Sequence, residues 1–356
     1  MNYQKLFDPQ PLFQDLRTAK EKSGLGLGDR RDGKVYRYTD DIVLAVNVAL
    51  ATGRPLLVRG PSGSGKSSLA FSLARILNRR YYEFVVTSRT QAQDLLWRFD
   101  AVRRLGDAQV LRSAPAGAGE GAQPAAAPAL AWHSYYPYIE PGILWWVLQR
   151  DTAARRGYPG PTLPFAPAAD PAVFTPAPEA GGPVVLIDEI DKADPDFANN
   201  LLVPFGSLQF KVEEIGHTVA LAQAAALSAD ERARQRPVLI ITTNEERRLP
   251  QAFLRRCIAL ELEGPGRDGL IEIAERLFGV RSKTLYGRVA DAMAALVRER
   301  LSVEGEALDE TARIHINVAQ FLDAVQACLR LKNVAGDEKL FDKVIAMTSW
   351  KEEGAA

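Results

Sequence analysis

One octapeptide constrains this chain more than any other stretch: Gly60-Pro61-Ser62-Gly63-Ser64-Gly65-Lys66-Ser67. An apolar run at residues 56–58 precedes it, and Ser68 begins a stretch with helical periodicity. A strand, a glycine-rich turn, Lys-Ser and a helix, in that order, form a phosphate-binding P-loop. The glycines let backbone N–H groups close around phosphate oxygens, and the helix adds the positive end of its dipole. The alternative is a glycine turn before a surface helix.

Within this loop, two side chains have expected roles toward a bound nucleotide. Lys66 is expected to reach the β- and γ-phosphates, and the Ser67 hydroxyl to hold Mg²⁺. We therefore predict that backbone and side-chain groups of residues 60–68 bind the phosphates. The residues of that set are Gly60, Pro61, Ser62, Gly63, Ser64, Gly65, Lys66, Ser67 and Ser68.

Composition narrows the choice of partners. The 356 residues allow one or two domains with a sizeable core. Lys plus Arg equals Asp plus Glu at 44 each, so no net positive charge favours nucleic acid or an anionic membrane as a partner. No run reaches the ~18 apolar residues of a membrane span. The first residues lack the long apolar core of a signal peptide, and Cys257 and Cys328 lie in apolar stretches, which predicts buried free thiols and a cytoplasmic protein.

The apolar runs predict an α/β fold of the P-loop NTPase type, with a parallel five-stranded sheet flanked by helices and a small all-α lid. Strands are expected at residues 56–58, 81–86, 184–187, 238–243 and 258–262, and a hairpin at 209–213 and 217–221. The expected domains are an N-terminal extension (1–35), the α/β core (36–264) and, after the hinge Gly264-Pro265-Gly266, the lid (267–350).

Helices are expected elsewhere in the core, at residues 42–51 after a Thr39 cap, at 91–110, and from an Asp194 cap to about 203. The blocks at about 113–130 and 157–183 are rich in Ala, Pro and Gly, and we predict mobile loops or insertions. Trp145 and Trp146 are adjacent on a predicted helix, so only one of them is expected to face the core.

Asp188 and Glu189 end one of the buried strands. A carboxylate at the end of a strand beside a P-loop can hold Mg²⁺ through water, which we assign to Asp188. The next carboxylate, Glu189, can accept a proton from an attacking water. The alternative is a solvated turn.

Asn244 ends the next apolar strand. Open parallel sheets bind ligands at the carboxyl ends of their strands, so this amide can orient the attacking water; an ordinary turn asparagine is the alternative. Arg255 and Arg256 follow a short predicted helix. They are either a surface pair or a source of positive charge for the γ-phosphate of an adjacent subunit.

Taken in order, these motifs resemble those of AAA+ ATPases. The ordered set comprises the P-loop, the Asp-Glu strand, the asparagine strand, residues 249–256 and a helical lid. Residues 138–145 and 188–195 are similar to the MoxR-like branch of that family. The resemblance spans roughly residues 35–335.

The resemblance implies ATP as the nucleotide, Mg²⁺, a homo-oligomeric ring of about six subunits, and sites shared between neighbours. It makes Arg256 the preferred arginine finger and Arg255 the second choice, and it gives Arg313 the place of a second sensor in the lid. It also implies that Thr87 or Ser88 restrains Glu189 until a partner binds. The low-complexity blocks lie where the family carries insertions, either as mobile substrate-facing loops or as tolerated linkers.

We therefore expect an ATP hydrolase that remodels or activates a partner protein, a client or adaptor, with MoxR-like chaperone activity. Two alternatives stay open: an ATP-dependent assembly switch or scaffold with little turnover, and a nucleic-acid-stimulated motor ATPase. The three histidines, His133, His217 and His315, are expected to be structural.

Overall fold

A computed structural model of the protein describes Tyr3 and residues 5–9, 35–113, 134–221, 228–303, 315–331 and 333–349. Within these residues lies the expected parallel sheet of five strands, in the order β2-β5-β8-β1-β9. Its strands are β1 (Leu56–Arg59), β2 (Tyr81–Val85), β5 (Val184–Asp188), β8 (Val238–Thr243) and β9 (Ile258–Glu261). Two antiparallel pairs join β3 (Trp97–Phe99) to β4 (Ile139–Pro141), and β6 (Gln209–Val212) to β7 (His217–Ala220).

Helices flank this sheet and then form a separate helical lid. The helices of the α/β part are α1 (Asp40–Thr52), α2 (Lys66–Ile76), α3 (Ala101–Ser113), α4 (Ile143–Leu148), α5 (Arg150–Ala154), α6 (Pro195–Asn200), α7 (Leu202–Ser207), α8 (Ala229–Gln235) and α9 (Gln251–Leu254). The lid helices are α10 (Arg267–Phe278), α11 (Lys283–Val303), α12 (Val318–Arg330) and α13 (Glu338–Thr348). Short 3₁₀ turns lie at Ala92–Leu95, Tyr136–Tyr138, Ile190–Lys192, Glu213–Ile215, Val280–Ser282 and Val334–Gly336.

The central strands are apolar up to their last one or two residues because both faces of the sheet are covered. Successive side chains of a strand point to opposite faces. Leu57, Ile187 and Ile241 belong to one buried cluster, whereas Leu56 and Ile240 belong to the cluster on the other face. Since all five strands are parallel, the P-loop after β1 lies at the same edge as the residues that end β5 and β8.

The helix predicted after Thr39 is confirmed as α1. The Thr39 hydroxyl accepts the Ile42 N–H at 3.3 Å, which satisfies one of the free donors at the helix start. Gly53 ends the helix in the left-handed conformation, with φ of 64°.

The predicted helix over residues 91–110 is wrong in its first half. Ala92–Leu95 forms a 3₁₀ turn, Trp97–Phe99 is strand β3, and the α-helix begins at Ala101. The strand forms because its partner β4 comes from about 40 residues later in the chain. The Trp97 ring stacks on Phe210, and its indole N–H donates to Glu214 at 2.8 Å.

The expectation that only one of the adjacent tryptophans faces the core is also wrong. Trp145 and Trp146 are 0% and 4% exposed. Helix α4 contacts both β2 and β7, so it is covered on more than one side. A helix that is apolar all round is stable only in such a buried position. The indole N–H of Trp145 donates to the Thr152 hydroxyl at 2.9 Å.

The block at 157–183, expected to be a mobile loop or an insertion, is packed against the sheet. The Tyr81 N–H donates to the Phe174 carbonyl at 2.9 Å, so this segment covers the outer edge of β2. The Arg80 guanidinium pairs with Asp170 at 3.0 Å and with Glu179. Residues 114–130 of the other block lie outside the described residues.

The predicted helix from 195 to 203 is split in two. Helix α6 ends at Asn200, and α7 begins at Leu202. Pro204 lies in the first turn of α7, where a missing N–H removes no intrahelical bond. The hairpin predicted from residues 209–221 is confirmed as β6–β7.

The lid has its own buried core, formed by α10 to α13. Cys328 lies in that core and Cys257 in the core of the sheet, and both are buried free thiols as predicted. Burial raises the pKa of Cys257 to about 12, which keeps this thiol protonated and unreactive. Among the described residues, no helix is both long enough and apolar enough to cross a membrane.

Candidate functional site

The glycine-rich loop connects β1 to α2 and turns tightly at the carboxyl edge of the sheet. Gly65, directly before α2, has φ of 94°. Gly60 has φ of 143°, and a Cβ at this position would lie 2.3 Å from the Leu262 carbonyl oxygen. Both positions therefore require glycine.

Lys66 lies inside this loop and is 6% exposed. Its ammonium group donates to the carbonyl oxygens of Gly60 at 2.7 Å and Pro61 at 2.8 Å. Burial lowers the pKa of Lys66, and the nearby charges of Asp188, Asp191 and Glu189 act in the opposite direction. The loop thus holds a cation beside a group of carboxylates.

Ser67, Asp188 and Thr242 form a hydrogen-bonded chain between three elements. The Ser67 hydroxyl lies 2.7 and 2.9 Å from the two Asp188 carboxylate oxygens, to which it donates. The Thr242 hydroxyl donates to Asp188 at 2.6 Å and accepts the Glu189 N–H at 2.8 Å. Thr242 therefore fixes both the carboxylate of Asp188 and the backbone of Glu189.

Sequence reasoning missed Thr242, although a signal was present. It is the first polar residue of the apolar strand β8 and lies in that strand's last two positions. The β5–β8 register pairs Ile187 with Ile241, so Thr242 lies level with Asp188. Alternation along the strand then directs both side chains to the same face.

The Glu189 carboxylate is held from two sides. Lys192 forms an ion pair with one oxygen at 2.7 Å, and the Asn244 amide lies 3.4 Å from the other. The ion pair raises the pKa of Lys192. The hydroxyl of Thr87, one of the two residues expected to restrain Glu189, is instead 3.0 Å from that of Thr90.

Asp191 ties the loop after β8 to the turn after β5. One oxygen of its carboxylate accepts the backbone N–H groups of Asn244 at 3.2 Å and Glu246 at 3.0 Å. The residue is 2% exposed. This contact was not predictable from local pattern, because it joins two loops 53 residues apart.

A cavity of about 850 Å³ opens over the loop. This volume lies in the range of small-molecule sites. One wall carries Ser67, Asp188, Glu189 and Asn244. The other walls come from the segment before α1 and from the lid, and include Val35, Tyr36, Arg37, Thr39, Ile42, Leu277, Asn317 and Leu322. None of these wall residues carries a motif from which a role in the site could be predicted.

The cavity contains ligands suited to Mg²⁺. The Ser67 hydroxyl and the Asp188 carboxylate are hard oxygen donors in contact with each other, beside the loop that would hold phosphates. Within the described ranges, no group of three or more His, Cys, Asp or Glu side chains could hold a metal by itself. This donor set suits an ion that keeps several water ligands and is also coordinated by phosphate oxygens.

Arg255 and Arg256 lie at the opposite edge of the sheet. They precede β9, whose first N–H donates to the Pro55 carbonyl just before β1, at 2.8 Å. About 13 Å of strand, the four residues of β1, separates this edge from the P-loop. Both arginines are exposed. Neither arginine lines the cavity of its own chain, and the Arg256 guanidinium donates to the Ala252 carbonyl at 3.2 Å.

The remaining predicted residues are placed as follows. Arg313 and His133 lie outside the described residues. His217 stacks on Trp145 with the ring centroids 5.6 Å apart, as befits a structural histidine. The ring of His315 touches the P-loop, with Nε2 2.9 Å from the Ser62 carbonyl oxygen. The chemical roles assigned to the site residues stay predictions.

A single family model matches more than half of this chain. The model of the AAA domain, dynein-related subfamily, matches residues 55–257, which include the P-loop and the strand ends that carry Asp188, Glu189 and Asn244. A crystal structure of a protein from Cytophaga hutchinsonii ATCC 33406 assigned as an ATPase is similar at 11% identity and a TM-score of 0.37, over 86% of this chain and 78% of that chain. No curated protein matches this chain.

Proposed function

This chain belongs to the AAA domain family, dynein-related subfamily, and on that basis we propose that it hydrolyses ATP at interfaces between copies of itself to remodel or activate a partner protein. One observation carries the proposal: a single cavity holds the P-loop lysine together with the linked side chains of Ser67, Asp188, Glu189 and Asn244. This combination offers a phosphate site, a metal site and a base for water in one place.

The P-loop and the cavity walls together bind the nucleotide in this proposal. The backbone N–H groups of Gly60 and residues 62–68 and the Lys66 ammonium group bind the phosphates. Tyr36, which lies over Gly65, and Ile42 supply apolar surface for the nucleoside. Ser67 and Asp188 would hold Mg²⁺, which when bound neutralises phosphate charge.

Hydrolysis requires a base within reach of a water molecule. The Glu189 carboxylate accepts the proton of the attacking water, and the Asn244 amide orients the water beside it. Thr242 holds the backbone N–H of Glu189, and Asp191 holds the backbone N–H of Asn244. Both residues therefore act through these two groups.

Assembly completes the site in this proposal. Arg256, or Arg255 as the second choice, lies about a strand's length from its own P-loop and reaches the cavity of the next copy. A head-to-tail contact of this kind closes into a ring, for which we propose about six subunits. The proposed client or adaptor is a protein, in keeping with MoxR-like activity.

ATPase activity measured across protein concentrations tests this function. An arginine supplied by a neighbour accelerates phosphoryl transfer by ~10³–10⁵-fold. The rate per protomer should therefore rise steeply as the protein assembles and approach zero on dilution, with assembly followed in parallel by light scattering. A rate per protomer that is independent of concentration contradicts a shared site. Strong stimulation by DNA that falls steeply with salt would favour a nucleic-acid motor instead.

Thr242→Val should lower kcat by about 10- to 100-fold while nucleotide binding changes little. The substitution keeps the shape of the side chain but removes the hydrogen bonds to Asp188 and to the Glu189 N–H, each worth about 0.5–3 kcal/mol. Thr242→Ser is the matched control and should retain activity, since it keeps the hydroxyl. Equal activity of the Val and Ser variants would show that this hydroxyl does not position the site.

A further inference from the structure

The lid contacts the backbone carbonyl groups of the P-loop directly. The Nε2 atom of His315 lies 2.9 Å from the Ser62 carbonyl oxygen, and because a carbonyl only accepts, Nε2 carries the proton. The N–H of Val318 donates to the Gly63 carbonyl oxygen at 3.1 Å. Two consecutive carbonyls at the tip of the loop are thus bonded to the lid.

The bond to Gly63 uses a donor that a helix leaves free. The first N–H groups of a helix have no partner within it. At the start of α12, the side-chain oxygen of Asn317 accepts the N–H groups of Ala319 at 3.0 Å and Gln320 at 3.3 Å. The N–H of Val318 remains, and Gly63 satisfies it.

Two glycines make room for this contact. A Cβ at Gly63 would lie 2.2 Å from the Asn317 side chain, and a Cβ at Gly264 would lie 2.2 Å from Nδ1 of His315. Gly63 also has φ of 74°, so its backbone alone requires glycine. Gly264 does not have the positive φ that favours glycine. The His315 ring is therefore the main obstacle to a side chain at this position.

We propose that residues 315–318, here called the clasp, tie the lid to the P-loop and thereby control how fast nucleotide leaves the cavity. This step rests on the proposed nucleotide site. The clasp holds the carbonyl side of Ser62 and Gly63, whereas the N–H groups of the same loop bind phosphate. A change in loop conformation on nucleotide binding therefore passes to α12, whose first residues line the cavity. His315 is a positioning residue, since it acts through the loop.

The first test needs no nucleotide. Hydrogen–deuterium exchange of the full-length protein is compared between wild type and His315→Ala, for peptides that contain residues 60–67 and 315–322. The clasp predicts faster exchange of both peptides in the variant, by about two- to tenfold for the loss of one hydrogen bond. Unchanged exchange in both peptides overturns the clasp, whether or not the protein binds ATP.

The second test measures release of a fluorescent ADP analogue by stopped flow. His315→Ala should release the analogue about two- to tenfold faster and raise KM, with the single-turnover hydrolysis rate unchanged. His315→Gln keeps an N–H donor and should restore slow release. Unaltered release in His315→Ala, or equally fast release in the Gln variant, contradicts the proposal. A wild type that binds no nucleotide contradicts the proposed function, and exchange alone then decides on the clasp.

Gly264→Ala provides a matched perturbation from the other side of the ring. The added methyl group displaces His315 and should accelerate release as His315→Ala does. In the double variant the two effects should not add, because both remove the same hydrogen bond. Additive effects would show that Gly264 acts on the hinge independently of His315, against the clasp.

Discussion

Arg256→Ala should lower the steady-state ATPase rate by at least about 10³-fold while leaving nucleotide affinity nearly unchanged. Arg256 lies shortly before the amino end of β9 and does not line the cavity of its own chain, so its loss removes no contact of the bound nucleotide within one copy. It removes the positive charge that stabilises the phosphoryl group during transfer in the neighbour's site. Turnover by phosphate release and binding by a fluorescent ATP analogue separate the two effects.

Arg255→Ala is the matched control for this prediction. It removes the same charge from the adjacent exposed position, and we expect a loss of less than about tenfold. A large loss in Arg255→Ala with an active Arg256→Ala would transfer the role to Arg255. If both single variants and their double variant keep most of the activity, no arginine is supplied by a neighbour.

Glu189→Gln should abolish turnover, with a loss of about 10²–10⁴-fold, and should still bind ATP. The amide has the shape of the carboxylate but cannot accept the proton of the attacking water. Lys66, Ser67 and Asp188 keep their contacts, so the phosphate and metal sites remain. A single-turnover assay with excess enzyme measures the chemical step without the influence of product release.

Lys192→Gln distinguishes the effect of losing the Glu189 carboxylate from the effect of losing its ion pair with Lys192. Both variants break the bond between Lys192 and Glu189, but only Glu189→Gln removes the carboxylate. We expect Lys192→Gln to keep hydrolysis within about tenfold of wild type, because a surface ion pair contributes little by itself. If Glu189→Gln hydrolyses ATP as slowly as the wild type, the protein is an assembly switch with little turnover.

The fold was predictable where local pattern and global packing agree. Two examples are the apolar runs of β5 and β8 and the strand–turn–helix around Lys66, each of which is compatible with one structure only. In the sheet, β5, β8 and β1 lie side by side. Strand β3 was not predictable, because its partner lies far along the chain and its residues suit a helix equally well. The packing of residues 157–183 depends on ion pairs of Arg80, which composition does not show.

In the candidate site, the positions of residues at strand ends were predictable. Asp188, Glu189 and Asn244 follow strands that had to end at one edge, so their meeting at Lys66 follows from topology. The residues that hold them in place, Thr242 and Lys192 among them, depend on strand register and turn geometry. The contact of His315 with the P-loop was missed because it depends on how the lid folds back.

Mixed assemblies of Arg256→Ala and Glu189→Gln test the shared site most directly. Each variant alone is expected to be inactive. In an assembly co-expressed from both and purified through two different tags, some cavities pair an intact Glu189 with an intact Arg256 of the neighbour. With random placement in equal amounts, half times half, or about a quarter of the interfaces, are complete, and about a quarter of wild-type activity should return. A mixed assembly no more active than the separate variants would contradict a site shared between copies.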